Sequence, residues 1–246
     1  MRDHDESCAA QRARITADEV DRRFGLNMRS HRIGELDLHF VDIEQPDALV
    51  RELYSDELEG VGDAPTWPVA WPAAYGLAEY LLTRHSPNML PVLELGCGTA
   101  VPGVAAACAG GNVLATDHDW LALTLARRNA ELNGLAIARG KARSLHNNRI
   151  RFRMLDWFDE EPIGSFGLIL GADIVYYEPT YEALLQTAER HLDADGHFLL
   201  SDPGREQMRD FLPLARERGW LVETSKIPVH LWDASHTVCI RTLTRS

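Results

Sequence analysis

The stretch VLELGCGT, residues 92–99, holds the residue types with the clearest chemical consequence. Apolar residues surround Glu94, and the chain then turns on Gly96 and Gly98 before a small apolar run. Because glycine has no Cβ, a ligand can approach the backbone closely at such a turn. The pattern predicts a buried strand, a tight turn and a helix that begins near Pro102, where a missing N–H has no cost.

The spacing of these glycines argues against a dinucleotide site. A dinucleotide-binding turn has the form G-x-G-x-x-G, but Val101 stands where the third glycine would fall. Glu94 also suits a ligand with a positive group better than a pyrophosphate. The turn resembles the D/E-x-G-x-G-x turn of class I S-adenosylmethionine (SAM) methyltransferases, which implies SAM as the cofactor. An ordinary strand-to-helix turn is the alternative.

Carboxylates and an indole follow two further predicted strands. Asp117 ends the strand NVLATD, where it can accept hydrogen bonds from both hydroxyls of a ribose. Asp156 and Trp157 end the strand RFRMLDW, where they can bind an adenine amine and stack on its ring. The alternatives are a helix N-cap for Asp117, which is compatible with ligand binding, and core packing for Trp157.

The motif D-x-x-Y, formed by Asp173 and Tyr176, leaves the sheet after the fourth core strand. Together with W-x-A-A at Trp71, E-L-G-x-G-T, Asp117 and L-D-W, it resembles the seven-β-strand protein lysine methyltransferases. That methyltransferase-like group includes relatives that act on other protein side chains. The resemblance covers residues 67–187 well, and SDPGR, residues 201–205, is similar to a strand-five turn of bacterial relatives.

The resemblance implies a cofactor site and a methyl-acceptor site. It implies SAM contacts at Trp71, Gly96, Cys97, Gly98, Asp117, Trp157 and Ala172. It places the acceptor around Asp173 and Tyr176, and the residue chemistry adds Glu94 and Asp156 to the cofactor site. Two departures are Ala100, where many members have glycine, and the VPG that follows it. The VPG variant is closer to a subgroup linked to arginine methylation.

Methyl transfer to an amine requires a neutral acceptor nitrogen. For lysine, with a pKa near 10.4, deprotonation at pH 7 costs about 4.6 kcal/mol. A neighbouring carboxylate raises the pKa of an amine, so we expect Asp173 to bind and orient the ammonium rather than to act as the base. Tyr176 can accept a hydrogen bond or present its ring to the amine, whereas we assign packing at a helix start to Tyr177.

The order of predicted elements indicates an α/β fold. Strands and helices alternate from residue 92 onward, which predicts a doubly wound, mostly parallel seven-stranded sheet. A short link at residues 228–235 makes the last strand antiparallel. The predicted strands are 92–96, 112–117, 150–155, 166–172, 196–201, 220–227 and 236–243. The predicted helices are 101–110, 119–133, 179–193 and 205–218.

Residues 1–66 are predicted to form an N-terminal extension before a methyltransferase domain of residues 67–246. We expect a mobile start, a short helix within Ala9–Phe24, a strand or hairpin at 33–43, and a short helix and loop within 44–66. A further helix opens at Pro72. Of the two tryptophans before it, we expect Trp67 to pack on the core and Trp71 to cover a ligand.

Composition narrows the possible partners. The chain has 246 residues and a net charge of −12, which argues against non-specific binding to nucleic acid or anionic membranes. No apolar run is long enough for a membrane helix, and the four cysteines lack metal-binding spacing. We expect reduced cysteines, no metal, a cytoplasmic location and a monomer. The basic residues of 138–153 are interpreted as a solvated loop and strand face, with an acidic partner as the alternative.

These observations predict a SAM-dependent N-methyltransferase whose acceptor is a protein side-chain nitrogen, with lysine as the expected one. A methyltransferase for a small amine is one alternative, and it would need residues 1–70 as a lid. A non-catalytic scaffold with a SAM-binding fold is the second alternative. An NAD-dependent reductase is disfavoured because the third glycine and a Tyr-x-x-x-Lys pair are both lacking in the sequence.

Overall fold

The computed structural model describes residues 12, 14–55, 65–138, 149–231 and 233–245. It contains ten strands and seven α-helices in these ranges. The strands are β1 (Leu26–Ile33), β2 (Leu36–Ile43), β3 (Pro91–Glu94), β4 (Asn112–Asp117), β5 (Ala136–Ile137), β6 (Arg149–Met154), β7 (Phe166–Ala172), β8 (Leu192–Asp202), β9 (Trp220–Leu231) and β10 (Ala234–Arg245). The helices are α1 (Ala17–Phe24), α2 (Pro46–Leu53), α3 (Pro72–Arg84), α4 (Val101–Cys108), α5 (Trp120–Leu132), α6 (Tyr181–His191) and α7 (Met208–Glu217).

The main sheet has the order β5-β6-β4-β3-β7-β8-β10-β9. All neighbours up to β8 are parallel, and β10 pairs antiparallel with both β8 and β9. The predicted α/β fold with an antiparallel last strand is therefore confirmed. The sheet gains an eighth strand, β5, which has only two residues and too short a pattern to recognise in the sequence.

Helices cover both faces of this sheet. Side chains of α3, α4 and α5 share one apolar cluster with one face, and those of α6 and α7 share another with the opposite face. This is the doubly wound arrangement, in which ligands bind beyond the carboxyl ends of the strands where the strand order reverses. Here the order reverses between β3 and β7, which places the turn after β3 at that edge.

The long hairpin of β9 and β10 is more regular than predicted. Pro228 and Ser235, which we placed in a linking segment, lie within strands and pair with Thr237 and His230. Proline is tolerated there because β9 is the last strand of the sheet, so its outer edge needs no partner. The link between the strands is therefore a tight turn around Asp233, whose φ is 61°.

The N-terminal extension contains a helix and a hairpin. Helix α1 begins at Ala17, later than the predicted range opens, because Thr16 caps it by accepting a hydrogen bond from the Glu19 N–H at 3.2 Å. Strand β2 was predicted, whereas β1 was not, because most of its side chains are polar and exposed. Helix α2 confirms the short helix expected after residue 44.

Some predictions fall on residues outside the described ranges. These are the mobile start, the loop at residues 56–64 and the basic residues at 139–148. The rest of the basic stretch lies on β6, where Arg153 donates to Glu161 at 2.5 Å. The domain boundary at residue 66 stays a prediction. None of the described helices is long and apolar enough to cross a membrane.

Two asparagines of α5 attach the hairpin to the main domain. Asn129 accepts a hydrogen bond from the Val41 N–H and donates to the Thr99 carbonyl, both at 2.9 Å. One turn later, Asn133 accepts from the His39 N–H at 2.9 Å and donates to the His39 carbonyl. The outer edge of β2 is therefore satisfied by side chains instead of by another strand.

We predict that Asn129→Ala lowers the free energy of unfolding by about 2–4 kcal/mol, because it leaves the Val41 N–H and the Thr99 carbonyl without partners. Urea denaturation measures this change. Glu131→Ala, on the exposed side of the same helix, is the control and should change stability by no more than about 0.5 kcal/mol. Equal effects of the two variants would contradict the attachment role of Asn129.

Candidate functional site

A cavity of about 370 Å³ lies beyond the carboxyl ends of the central strands. The turn after β3 forms its floor, and segments after β4, β6 and β7 form its walls. All of the predicted site residues except one line this cavity. They are Trp71, Gly96, Cys97, Gly98, Asp117, Asp156, Trp157, Ala172, Asp173 and Tyr176. Five stretches that are distant in the sequence therefore meet at one site.

The backbone of the glycine turn is left-handed at every second residue. Gly96, Gly98 and Ala100 have φ angles of 58°, 51° and 60°. A Cβ on Gly96 would lie 2.9 Å from Ile174 and 3.2 Å from Trp157, so only glycine fits there. Ala100 is wholly buried at the N-cap of α4, and a non-glycine residue in this conformation costs about 1–2 kcal/mol.

Asp117 holds the glycine turn in place. Its Oδ2 accepts a hydrogen bond from the Gly98 N–H at 2.8 Å, and its Oδ1 accepts one from the Asp119 N–H at 2.9 Å. Burial raises the pKa of Asp117, which the His118 side chain at 3.4 Å and these two N–H groups partly offset. The predicted ribose-binding carboxylate is thus fixed in orientation before any ligand binds.

Glu94 is the predicted site residue that does not line the cavity. Its carboxyl group is 1% exposed and lies behind the turn, against the first turn of α4. A Cβ on Gly103 would collide with Oε2, and this oxygen has no hydrogen-bond partner among the described residues. Burial raises the pKa of Glu94 to about 8, which the backbone N–H of Gly103 only partly offsets. The geometry therefore does not support direct cofactor contact by Glu94.

The two tryptophans before α3 differ as predicted in exposure. Trp67 is 8% exposed and packs in the apolar cluster beneath α5, which confirms its assignment to the core, although it also borders the cavity. Trp71 is 36% exposed at the cavity wall, and its indole N–H donates to the Thr66 carbonyl at 2.9 Å. Its predicted role as a cover for a ligand stays a prediction.

A buried network that the sequence did not reveal supports the start of α5. The Tyr54 hydroxyl donates to Asp119 Oδ2 at 2.5 Å, and the Trp67 indole N–H lies 3.1 Å from the same oxygen. Asp119 also caps α5 through the Leu121 N–H. Burial, then the charge of Asp119, raises the pKa of Tyr54 far above its usual range. The network connects α2 to the cavity wall.

Asp156 and Trp157 lie together where β6 ends. The Trp157 ring borders the cavity next to Gly96, and the Trp157 backbone carbonyl accepts a hydrogen bond from the Thr187 hydroxyl at 3.1 Å. Asp156 is exposed and accepts a hydrogen bond from the Phe158 N–H at 3.0 Å. Phe158, which we had not singled out, also lines the cavity and is 65% exposed.

Asp173 forms an ion pair that the sequence analysis missed. Its two oxygens accept hydrogen bonds from Arg205 Nε at 2.5 Å and from a terminal nitrogen of Arg205 at 2.7 Å. The Asp173 backbone has φ of 56° and is anchored through its N–H to the Ser201 carbonyl at 2.8 Å. The only sequence signal for Arg205 was its place in SDPGR. Arg205 thus contacts both oxygens of Asp173, and the role of Asp173 in binding and orienting an ammonium stays a prediction.

Tyr176 and Tyr177 both line the cavity. The assignment of Tyr177 to packing at the helix start is wrong, because this side chain is 43% exposed. Tyr181, at the first position of α6, is 4% exposed and packs edge-to-face on Phe211 with ring centroids 5.3 Å apart. A short 3₁₀ turn at residues 178–180 lies between Tyr177, which lines the cavity, and Tyr181, which packs at the start of α6.

A family comparison decides what kind of protein has this cavity. The model of a family described as lysine methyltransferase matches residues 53–217. The chain belongs to this lysine methyltransferase family. The match includes every predicted site residue, and the methyltransferases of this family use SAM.

Named relatives agree with this membership. Protein N-lysine methyltransferase METTL21A of Danio rerio is 36% identical over 174 residues, which are 68% of this chain and 76% of the relative. The electron transfer flavoprotein beta subunit lysine methyltransferase of Danio rerio is 32% identical over 153 residues, which are 59% of this chain and 53% of the relative. The matched segment thus spans about half of the second relative.

A solved structure supports the fold. Magnesium protoporphyrin IX methyltransferase of Synechocystis PCC 6803, with bound SAM, aligns over 82% of this chain and 98% of its own, with a TM-score of 0.53 and 15% identity. At this identity the likeness shows the fold alone. The predicted Rossmann-like methyltransferase fold is confirmed.

The cavity residues suit SAM as the cofactor. The open glycine backbone admits a ligand closely, Asp117 offers acceptors for ribose hydroxyls, and Trp157 offers an aromatic surface for a base. These roles stay predictions for each residue. Within the described ranges, no three His, Cys, Asp or Glu side chains form a cluster that could hold a metal ion.

We predict that Asp117→Asn weakens SAM binding at least about tenfold, because an amide replaces the charged acceptor and presents an N–H to the turn. Isothermal titration calorimetry measures the affinity, and urea denaturation checks the fold. Asp210→Asn, an exposed site on α7, is the control. Wild-type affinity in a folded Asp117→Asn variant would exclude Asp117 from the cofactor site.

We predict that Glu94 makes stability fall as the pH rises. Its pKa is about 8 in the folded protein against 4.5 ordinarily, so between these values the folded state holds a proton that the unfolded state releases. The stabilisation is complete below about pH 4.5 and is lost as the pH rises through about 8.

Urea denaturation at pH 5.0 and pH 8.5 tests this linkage. From pH 5.0 to pH 8.5, the unfolding free energy of the wild-type protein should fall by about 1–4 kcal/mol more than that of Glu94→Gln. Glu131→Gln should retain the wild-type pH dependence. Parallel pH profiles for the wild type and Glu94→Gln would contradict the raised pKa.

Proposed function

We propose that this protein transfers the methyl group of SAM to a side-chain nitrogen of another protein, with lysine as the acceptor. The observation that supports this most directly is the position of Asp173 and Tyr176 on the wall of the cavity that contains the glycine turn. The names of the relatives, which are lysine methyltransferases, agree with this acceptor. When bound, SAM supplies the methyl group on a positively charged sulfonium.

The residues of the chain would act by positioning and by electrostatics. Holding the acceptor nitrogen close to the methyl group can lower the barrier by roughly 7–11 kcal/mol. Tyr176 would accept a hydrogen bond from the amine or present its ring to it. Trp71, which is exposed at the wall, would exclude water. No strong base is required if the amine arrives neutral.

A small amine is the second candidate acceptor, and one observation keeps it testable. In the segment 65–71, which precedes the first helix of the predicted domain, every residue except Pro68 lines the cavity. A segment in this position could enclose a small acceptor. We also propose a cytoplasmic location, a monomer and no nucleic-acid partner, consistent with the net charge of −12.

The deciding experiment incubates the purified protein with radiolabelled SAM and a cell lysate and separates the products on a gel. A discrete labelled protein band supports the proposal, and mass spectrometry of the band identifies lysine, arginine or histidine as the acceptor. Label found only among small molecules would favour the small amine. A protein that binds no SAM by calorimetry would be a scaffold.

We predict that Asp173→Ala and Tyr176→Phe lose methyl transfer by at least about tenfold and retain SAM affinity within about tenfold, because both side chains face the acceptor. Transfer is measured on the labelled band and affinity by calorimetry. Tyr80→Phe, outside the cavity, is the matched control. Unchanged turnover in both site variants would remove them from the acceptor site.

A further inference from the structure

Arg205 lies behind the acceptor side of the cavity and interacts with three predicted site residues. Its guanidinium forms the two-point contact with Asp173. The same group lies 5.8 Å from the centroid of the Trp71 ring. Hydrogen bonding to Asp173 is the main cause that raises the pKa of Arg205, and Tyr176 is near enough to contribute. Arg205 itself does not line the cavity.

The turn after β8 fixes the position of Arg205. Asp202 is wholly buried, and its Oδ1 accepts hydrogen bonds from the N–H groups of Gly204 at 2.6 Å and Arg205 at 3.1 Å. Its Oδ2 accepts one from Arg241 Nε at 3.1 Å. These hydrogen bonds hold the Arg205 backbone in place, and the Arg205 side chain is 27% exposed.

The pair changes the charge that an incoming acceptor meets. A lone carboxylate beside an amine raises the pKa of the amine and opposes its deprotonation. A two-point guanidinium contact supplies an equal positive charge at hydrogen-bond distance and fixes the carboxylate plane. Asp173 keeps unused lone pairs, so it can still accept a hydrogen bond, but the pair has no net charge with which to hold an ammonium.

We propose that Arg205 is a positioning residue whose positive charge balances that of the Asp173 carboxylate, so that the site receives the acceptor nitrogen as a neutral amine. This inference rests on the proposed N-methyltransferase function and adds the protonation state of its acceptor. It also explains why SDPGR and D-x-x-Y occur in one chain, since the first motif positions the partner of the second.

The first test measures site charge without any acceptor. SAM carries a positive sulfonium, whereas its demethylated product S-adenosylhomocysteine does not, so the ratio of their dissociation constants reports the charge of the cavity. Calorimetry at pH 8.5 gives both constants. Arg205→Gln leaves Asp173 unpaired and should shift the ratio at least about threefold in favour of SAM.

Three further variants control this result. Asp173→Asn leaves the guanidinium unpaired and should shift the ratio in the opposite direction, also by about threefold. The double variant Asp173→Asn with Arg205→Gln should return to the wild-type ratio. Arg209→Gln, whose side chain is 81% exposed and forms an ion pair with Glu206, should not change it.

The proposal is overturned if Arg205→Gln and Asp173→Asn are both folded and both keep the wild-type ratio of dissociation constants. If Arg205→Gln does not fold, the opposite shift in Asp173→Asn still decides, and its absence overturns the proposal equally. Each variant is checked by urea denaturation before titration.

The second test uses the labelled lysate protein as the acceptor. In Arg205→Gln, the rising limb of kcat/KM against pH should move up by about one pH unit, because the unpaired carboxylate favours the ammonium. Arg209→Gln should keep the wild-type profile. A lower rate without this displacement would mean that Arg205 serves only the fold. If neither the wild-type protein nor any variant transfers methyl groups, the proposed function fails. The ratio of the dissociation constants of SAM and S-adenosylhomocysteine still tests the role of Arg205.

Discussion

The left-handed backbone of the turn between β3 and α4 is the constraint on which the site depends. Gly96, Gly98 and Ala100 have positive φ angles, whereas the residues between them do not, and this path turns the chain sharply between β3 and α4. Side chains would fill the space that the path opens, as the contact of a Cβ on Gly96 with Ile174 shows. The same constraint leaves backbone groups unpaired by regular structure, so the surrounding side chains must satisfy them.

Two buried side chains satisfy these groups and link the turn to the rest of the molecule. Asp117 binds the Gly98 N–H, and Asn129 binds the Thr99 carbonyl. Asn129 also binds Val41 of the N-terminal hairpin, so one side chain contacts both the extension and the glycine turn. The hairpin thereby supports the site although its own strand β1 is mostly polar and exposed.

Three of the buried carboxylates near the cavity, Asp117, Asp173 and Glu94, have different surroundings. Asp117 is held by two backbone N–H groups and faces the cavity, which suits a hydroxyl-bearing ligand. Asp173 is held by the Arg205 guanidinium, and the two side chains form an ion pair without net charge. Glu94 has an oxygen without a hydrogen-bond partner among the described residues and a raised pKa, so it stays protonated near neutral pH and acts on stability. Burial alone would not distinguish these roles, because all three side chains are hidden from water.

The sequence by itself determined the alternation of strands and helices, the antiparallel last strand and ten of the residues that line the cavity. Those features depend on local patterns, namely apolar periodicity, a glycine turn and polar residues at strand ends, which parallel strands must bring to one edge. Only the tertiary structure decided that Glu94 lies behind the turn, that Tyr54 and Trp67 share Asp119, and that Arg205 forms an ion pair with Asp173. Each of these features depends on contacts between side chains that are far apart in the chain. Local spacing in the sequence does not indicate which distant residues lie close together in the fold.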